Sequence, residues 1–107
     1  MEKEFSIGRN SVVSRLGFQV DFGNGHTEPM VFREGGVSVR FGCEMGLNRT
    51  VILFVTQADF PQGTTKEEKR RIFECVVRAI WAGIPGWTID VEHGPLPAAD
   101  WALPTRV

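Results

Sequence analysis

Thr64-Thr65-Lys66-Glu67-Glu68-Lys69-Arg70-Arg71-Ile72-Phe73-Glu74-Cys75-Val76-Val77-Arg78-Ala79-Ile80-Trp81-Ala82-Gly83 is the stretch that decides the fold. Thr64 and Thr65 each stand three residues ahead of a glutamate, Glu67 and Glu68, which gives two overlapping registers of the capping box that starts a helix. Ile72, Phe73, Val76, Val77, Ile80 and Trp81 then recur at spacings of three and four, so one wide face of that helix is apolar. On the outer side, Glu67 with Arg71 and Glu74 with Arg78 stand one turn apart, where opposite charges can pair. Gly83, Pro85 and Gly86 end the helix.

Outward from this helix the periodicity changes to two. Leu16, Phe18, Val20 and Phe22 alternate with Gly17, Gln19 and Asp21, as do Val37, Val39, Phe41 and Cys43 with Ser38, Arg40 and Gly42. Both are half-buried strands. Gly23-Asn24-Gly25 and Glu34-Gly35-Gly36 supply the turns, and Met30-Val31-Phe32 forms a strand between them with Pro29 at its beginning or on an edge. Gly46-Leu47-Asn48-Arg49 is a further turn. Val51-Ile52-Leu53-Phe54-Val55 is apolar without alternation, as expected of a strand covered on both faces or lying at the sheet centre, and is placed centrally. After the helix, Trp87, Ile89 and Val91 alternate with Thr88, Asp90 and Glu92 as a closing strand. Phe5-Ser6-Ile7 can add a short one whose pairing Gly8-Arg9-Asn10-Ser11 leaves undecided. The expected architecture is α+β: a curled antiparallel sheet of about five or six strands packed on one long helix in the C-terminal half, with residues 1–107 as a single domain.

Composition narrows function by exclusion. The chain has 107 residues, 12 Lys and Arg against 13 Asp and Glu, and a hydrophobic fraction of 42%, enough apolar content for a core without disulfides or metal. A net charge of -1 lacks the basic excess that nucleic-acid binding requires, so no nucleic-acid partner is expected. The mixed run Lys66 to Arg71 is expected to be a solvated, internally paired face. No apolar run reaches membrane length, and Met1-Glu2-Lys3-Glu4 does not open an apolar leader, so no membrane partner and a cytoplasmic location are expected. Cys43 and Cys75 fall on apolar-periodic positions with no ligand spacing and are expected to be buried free thiols.

No reactive constellation emerges. His26 and His93 are the only histidines, and neither adjoins a nucleophile motif. Gly23-Asn24-Gly25 leads into a strand instead of a helix, which removes the amides a phosphate loop uses. Asp90 and Glu92 share one strand face beside His93, a pattern read as the solvent side of an edge strand and not as a metal site. The expectation is a protein without catalytic residues, cofactor or metal.

Val51 through Glu92, with the helix opening at Thr64 to Ile72 and the final strand Gly86-Trp87-Thr88-Ile89-Asp90-Val91-Glu92, resembles small immunity proteins of bacterial polymorphic toxin systems. The resemblance implies a compact cytosolic α+β domain that protects its producer by occluding a cognate toxin domain. Nuclease-blocking proteins of that kind are often distinctly acidic. This near-neutral chain argues against a strongly basic nuclease target and permits other toxin chemistries. The candidate partner surface is a patch of Asp90, Glu92, His93, Asp100 and Trp101, with the tail segment presenting Trp101 as an aromatic anchor. The competing reading is a solvated edge strand with a tail, Pro95 through Val107, folded back over the sheet. Other readings of function are a small enzyme or ligand-binding protein using Arg40, His26 or His93 in a pocket between sheet and helix, and a homo-oligomeric subunit, a homodimer for example, paired through its sheet.

Overall fold

The computed structural model describes residues 4–23, 28–56 and 59–105. Its elements are β1 (Phe5–Ile7), β2 (Ser11–Ser14), β3 (Phe18–Asp21), β4 (Met30–Glu34), β5 (Val37–Gly46), β6 (Thr50–Phe54), α1 (Lys66–Gly83), β7 (Thr88–Glu92) and a short 3-10 turn, Ala98–Trp101. The expected α+β class holds, with the strands in one open sheet in chain order, β1 to β7. The described residues form seven strands, not five or six, because Phe5–Ile7 does form one and pairs with a further strand at Ser11–Ser14. The turn at Gly23-Asn24-Gly25 and His26 reach beyond the described residues.

Every neighbouring pair is antiparallel except β6 and β7, which are parallel. The reason is the helix. A strand that returns through a helical crossover re-enters the sheet in the direction of the strand it left. Val51–Val55 is accordingly not at the sheet centre but next to its edge, flanked by β5 and β7. Its burial alternates after all: Val51, Leu53 and Val55 are buried, whereas Ile52 and Phe54 on the other face are only half-buried.

The core lies between the sheet and α1. Val12, Val20, Phe32, Val39, Phe41 and Leu53 from the sheet meet Ile72, Phe73, Val76, Val77 and Ile80 from the helix. Thr65 is the N-cap, its hydroxyl accepting the Glu68 N–H at 3.1 Å. Leu16 was expected inside but is exposed. The strand starts at Phe18, and Leu16 sits in the β2–β3 turn with its N–H donated to the buried Ser14 hydroxyl at 3.0 Å. Val37, at the β4–β5 reversal where Gly35 takes φ +57°, is also exposed.

The charge pairs on α1 differ from the expected ones: some lie within the helix in another register and others reach off it. Arg71 binds Glu68 and Glu34 of β4, Arg70 pairs with Glu74, and Arg78 binds Glu4 just before β1. Glu4 also accepts the Ser14 hydroxyl, so one carboxylate ties the chain's start to both the sheet and the helix.

At the other end of α1, a Cβ on Gly83 would stand 2.6 Å from the Phe22 ring and 2.7 Å from Val12. The helix approaches β2 this closely only because no side chain intervenes. Gly83→Ala should therefore destabilise the protein by about 1–3 kcal/mol, despite the better helix propensity of alanine. Chemical denaturation is the check, and a gain in stability would show that helix and sheet separate freely there.

Candidate interaction face

The five residues expected to form one patch are divided between the two sides of the sheet. Asp90 and Glu92 are exposed on β7, on the face away from α1, since Ile89 ahead of them is buried in the core and Val91 between them is half-buried against it. His93 closes the turn that follows. Its Nδ1–H donates to the Leu96 carbonyl at 2.8 Å, while the Leu96 N–H returns to the His93 carbonyl at 3.0 Å. That turn sends the tail to the helix side. Asp100 pairs with Lys66 at 3.2 Å, and its carbonyl accepts from Arg70 at 3.0 Å.

Trp101 is only 6% exposed. Its ring stacks on Phe60 at 5.9 Å and meets the edge of Phe73 at 5.3 Å. A ring held this way is a core residue and not a presented anchor; the tail does fold back, but against α1 and Phe60 and not over the open face of the sheet. The groove of about 640 Å³ between the first turns of α1 and this tail is lined by Lys66, Lys69, Arg70, Leu96 and Pro97 among others. Its basic side chains are engaged within the molecule: Lys66 and Arg70 hold Asp100, and Lys69 lies 5.7 Å from the centre of the Phe60 ring. The groove is the seam by which the tail is attached.

What remains on the open face is set by strand register. Glu44 of β5 faces Ile52 of β6, which faces Asp90 of β7. One row on, Gly42 faces Phe54, which faces Glu92. Because Gly42 has no side chain, the Phe54 ring leans over it, at 3.7 Å from where a Cβ would stand. Ile52 and Phe54 thus form a half-exposed apolar strip between carboxylates on both neighbouring strands. Among the described residues, Glu44, Asp90 and Glu92 have no basic partner.

The opposite end of the same face is different. Asp21 is bound by Arg33 at 2.8 Å and by Gln19 at 2.7 Å. Burial pushes its carboxyl up, but the two hydrogen bonds and the Arg33 charge outweigh this and hold it below the ordinary range. Charge is neutralised at one end of the sheet and left open at the other.

Both cysteines are free and buried, as expected. The Cys43 thiol donates to the Glu28 carbonyl at 3.1 Å, and burial raises its pKa. Burial pushes Cys75 up to about 11. A raised pKa disfavours the thiolate, the reactive form of cysteine. Among the described residues, no three His, Cys, Asp or Glu side chains converge as a metal site would. No described helix is long and apolar enough to cross a membrane.

No protein-family model, curated protein or solved structure matches the chain.

Glu44, Ile52 and Phe54 had escaped the sequence reading. The signal for them was the unbroken apolar run of β6. A strand with apolar residues on both faces, one of which the chain itself leaves open, carries an apolar surface it does not use for folding.

Proposed function

We propose that this chain is a non-enzymatic protein-binding domain that receives its partner on the open face of β5, β6 and β7. Within that class it acts as an immunity protein that binds and neutralises a cognate toxin domain. The observation that carries the reading is the apolar strip of Ile52 and Phe54 framed by the unpaired carboxylates Glu44, Asp90 and Glu92. An apolar centre with a charged rim is how protein interfaces are built, and an acidic rim suits a basic partner surface. The net charge is near zero, but these carboxylates are concentrated where the apolar surface is.

Immobilised wild-type protein and the Asp90→Lys, Glu92→Lys double variant serve as paired baits for the native lysate. A basic protein should be retained by the wild type, released by salt and lost from the variant. Its association rate with the variant should fall about tenfold or more at low ionic strength, while thermal melting stays the same. The captured protein should arrest growth when expressed alone and not when co-expressed with the wild-type chain. Equal capture by both baits would move the interface elsewhere, and a captured partner that is harmless alone would remove the immunity role.

A further inference from the structure

The hydrogen-bond phase of β7 is set at both ends. The Thr88 N–H donates to the Arg49 carbonyl at 2.9 Å, and the Val55 N–H donates to the Glu92 carbonyl at 2.9 Å. In a parallel ladder this assigns the backbone groups of Thr88, Asp90 and Glu92 to β6 and turns those of Ile89 and Val91 outward. β7 is the last strand of the sheet. Among the described residues the tail turns away from it, since Asp100 and Trp101 dock against α1.

Thr88-Ile89-Asp90-Val91-Glu92 has no proline, no lysine and no bulge to close its edge, and the charge it carries, at Asp90 and Glu92, is acidic and repels only like-charged strands. The other edge differs. β1 has three residues and lies beneath Arg78, whose guanidinium sits 5.6 Å from the Phe5 ring.

We infer, building on the open-face reading above, that the free edge of β7 accepts an extended segment of the partner protein as an eighth strand, with Lys or Arg at every second position. The charges select this occupant. Antiparallel pairing with a second copy, fully overlapped, puts Asp90 directly across from the second copy's Asp90. One step toward the strand's end puts Asp90 across from Glu92 twice. Like charges directly opposite destabilise a strand pair, and the register one step toward the strand's start, which sets Asp90 across from Thr88, overlaps only Thr88 to Asp90, so a second copy fits poorly. A strand with alternating basic residues places them beside Asp90 and Glu92, and its intervening β-branched residues fall on the core side next to Ile89 and the half-buried Val91.

The test uses a capped, fluorescein-labelled peptide of alternating Lys and Val. A copy N-methylated at every second residue, on the amides that would face β7, and a Glu-Val peptide are the controls. The Lys-Val peptide should bind at low salt and slow hydrogen exchange at the Ile89 and Val91 amides. Binding should weaken about tenfold or more on N-methylation, with Asp90→Lys plus Glu92→Lys, and with Val91→Pro, which removes an outward donor the native ladder does not use. Should Val91→Pro fail to fold, the N-methylated peptide makes the same comparison on the wild-type protein. Equal binding of the N-methylated peptide would overturn strand addition and leave the open-face reading standing. Absence of binding would overturn strand addition too, whereas the open-face reading is decided by the paired baits. Protection of Ile89 and Val91 that rises with protein concentration alone would show a second copy on the edge, and would also overturn the inference.

Discussion

A protein with Asp in place of Val76 should fail to accumulate in folded form. Val76 is fully buried in the middle of α1, on the face that also carries Ile72, Phe73 and Ile80. No basic side chain is among the core residues around it. A carboxylate there would have to ionise without a partner or remain protonated in an apolar site, and either costs several kcal/mol. A domain this small has a total stability of about 5–15 kcal/mol, so one such change consumes much or all of it. Soluble yield and far-UV circular dichroism are the measurements. Glu67→Ala, on the exposed side of the same helix, should fold normally and serves as the control. A Val76→Asp protein melting with the wild type would remove α1 from the core.

The second large effect belongs to the tail. Trp101→Ala takes away a ring packed against Phe60 and Phe73, and large-to-small changes of this kind cost about 3–5 kcal/mol. The loss would come from packing far more than from the Lys66–Asp100 pair beside it, whose lysine is largely exposed and adds little. Urea denaturation should register the change. Below its melting temperature the variant should still bind the partner captured by the wild-type bait, because Trp101 lies on the helix side and the proposed interface on the other. A Trp101→Ala protein of normal stability that no longer bound would reverse both assignments and return the tail to the interface.

Much of this fold was legible because its signals are local. The helix was readable in full, since cap, apolar face and breaker all lie between Thr64 and Gly86, and α1 runs from Lys66 to Gly83. The alternation in β3, β5 and β7 was likewise contained within each strand. What failed depended on partners distant in sequence. Val12 and Val13 are too brief an apolar run to announce β2, which is held by its pairing with β1 and β3 and by the burial of Val12 under α1. Leu16 had the right parity for β3 but belongs to the turn before it. Of the interaction face, the outward placement of Asp90 and Glu92 was readable from alternation. Their separation from Trp101 was not, because the turn at His93 to Leu96 decides which side of the sheet the tail takes. Glu44 joins the face only through register, Glu44 to Ile52 to Asp90, which depends on the geometry of the β5–β6 turn and on the length of the crossover to β7, and alternation within one strand does not report either.

The parallel joining of β6 and β7 also has a consequence during synthesis. β6 is the most aggregation-prone segment of the chain: Val51-Ile52-Leu53-Phe54-Val55 has no charge, no proline and high β-propensity. β1 to β6 can pair as hairpins while the chain emerges, but the far side of β6 is closed only by β7, which comes after the whole of α1. A nascent or interrupted chain ending before Thr88 therefore exposes a sticky edge with nothing to repel a neighbour. When β7 arrives, it replaces that edge with one whose outward face carries Asp90 and Glu92. The last strand acts as a gatekeeper, and the same two carboxylates that would admit a basic strand keep identical chains from stacking on one another.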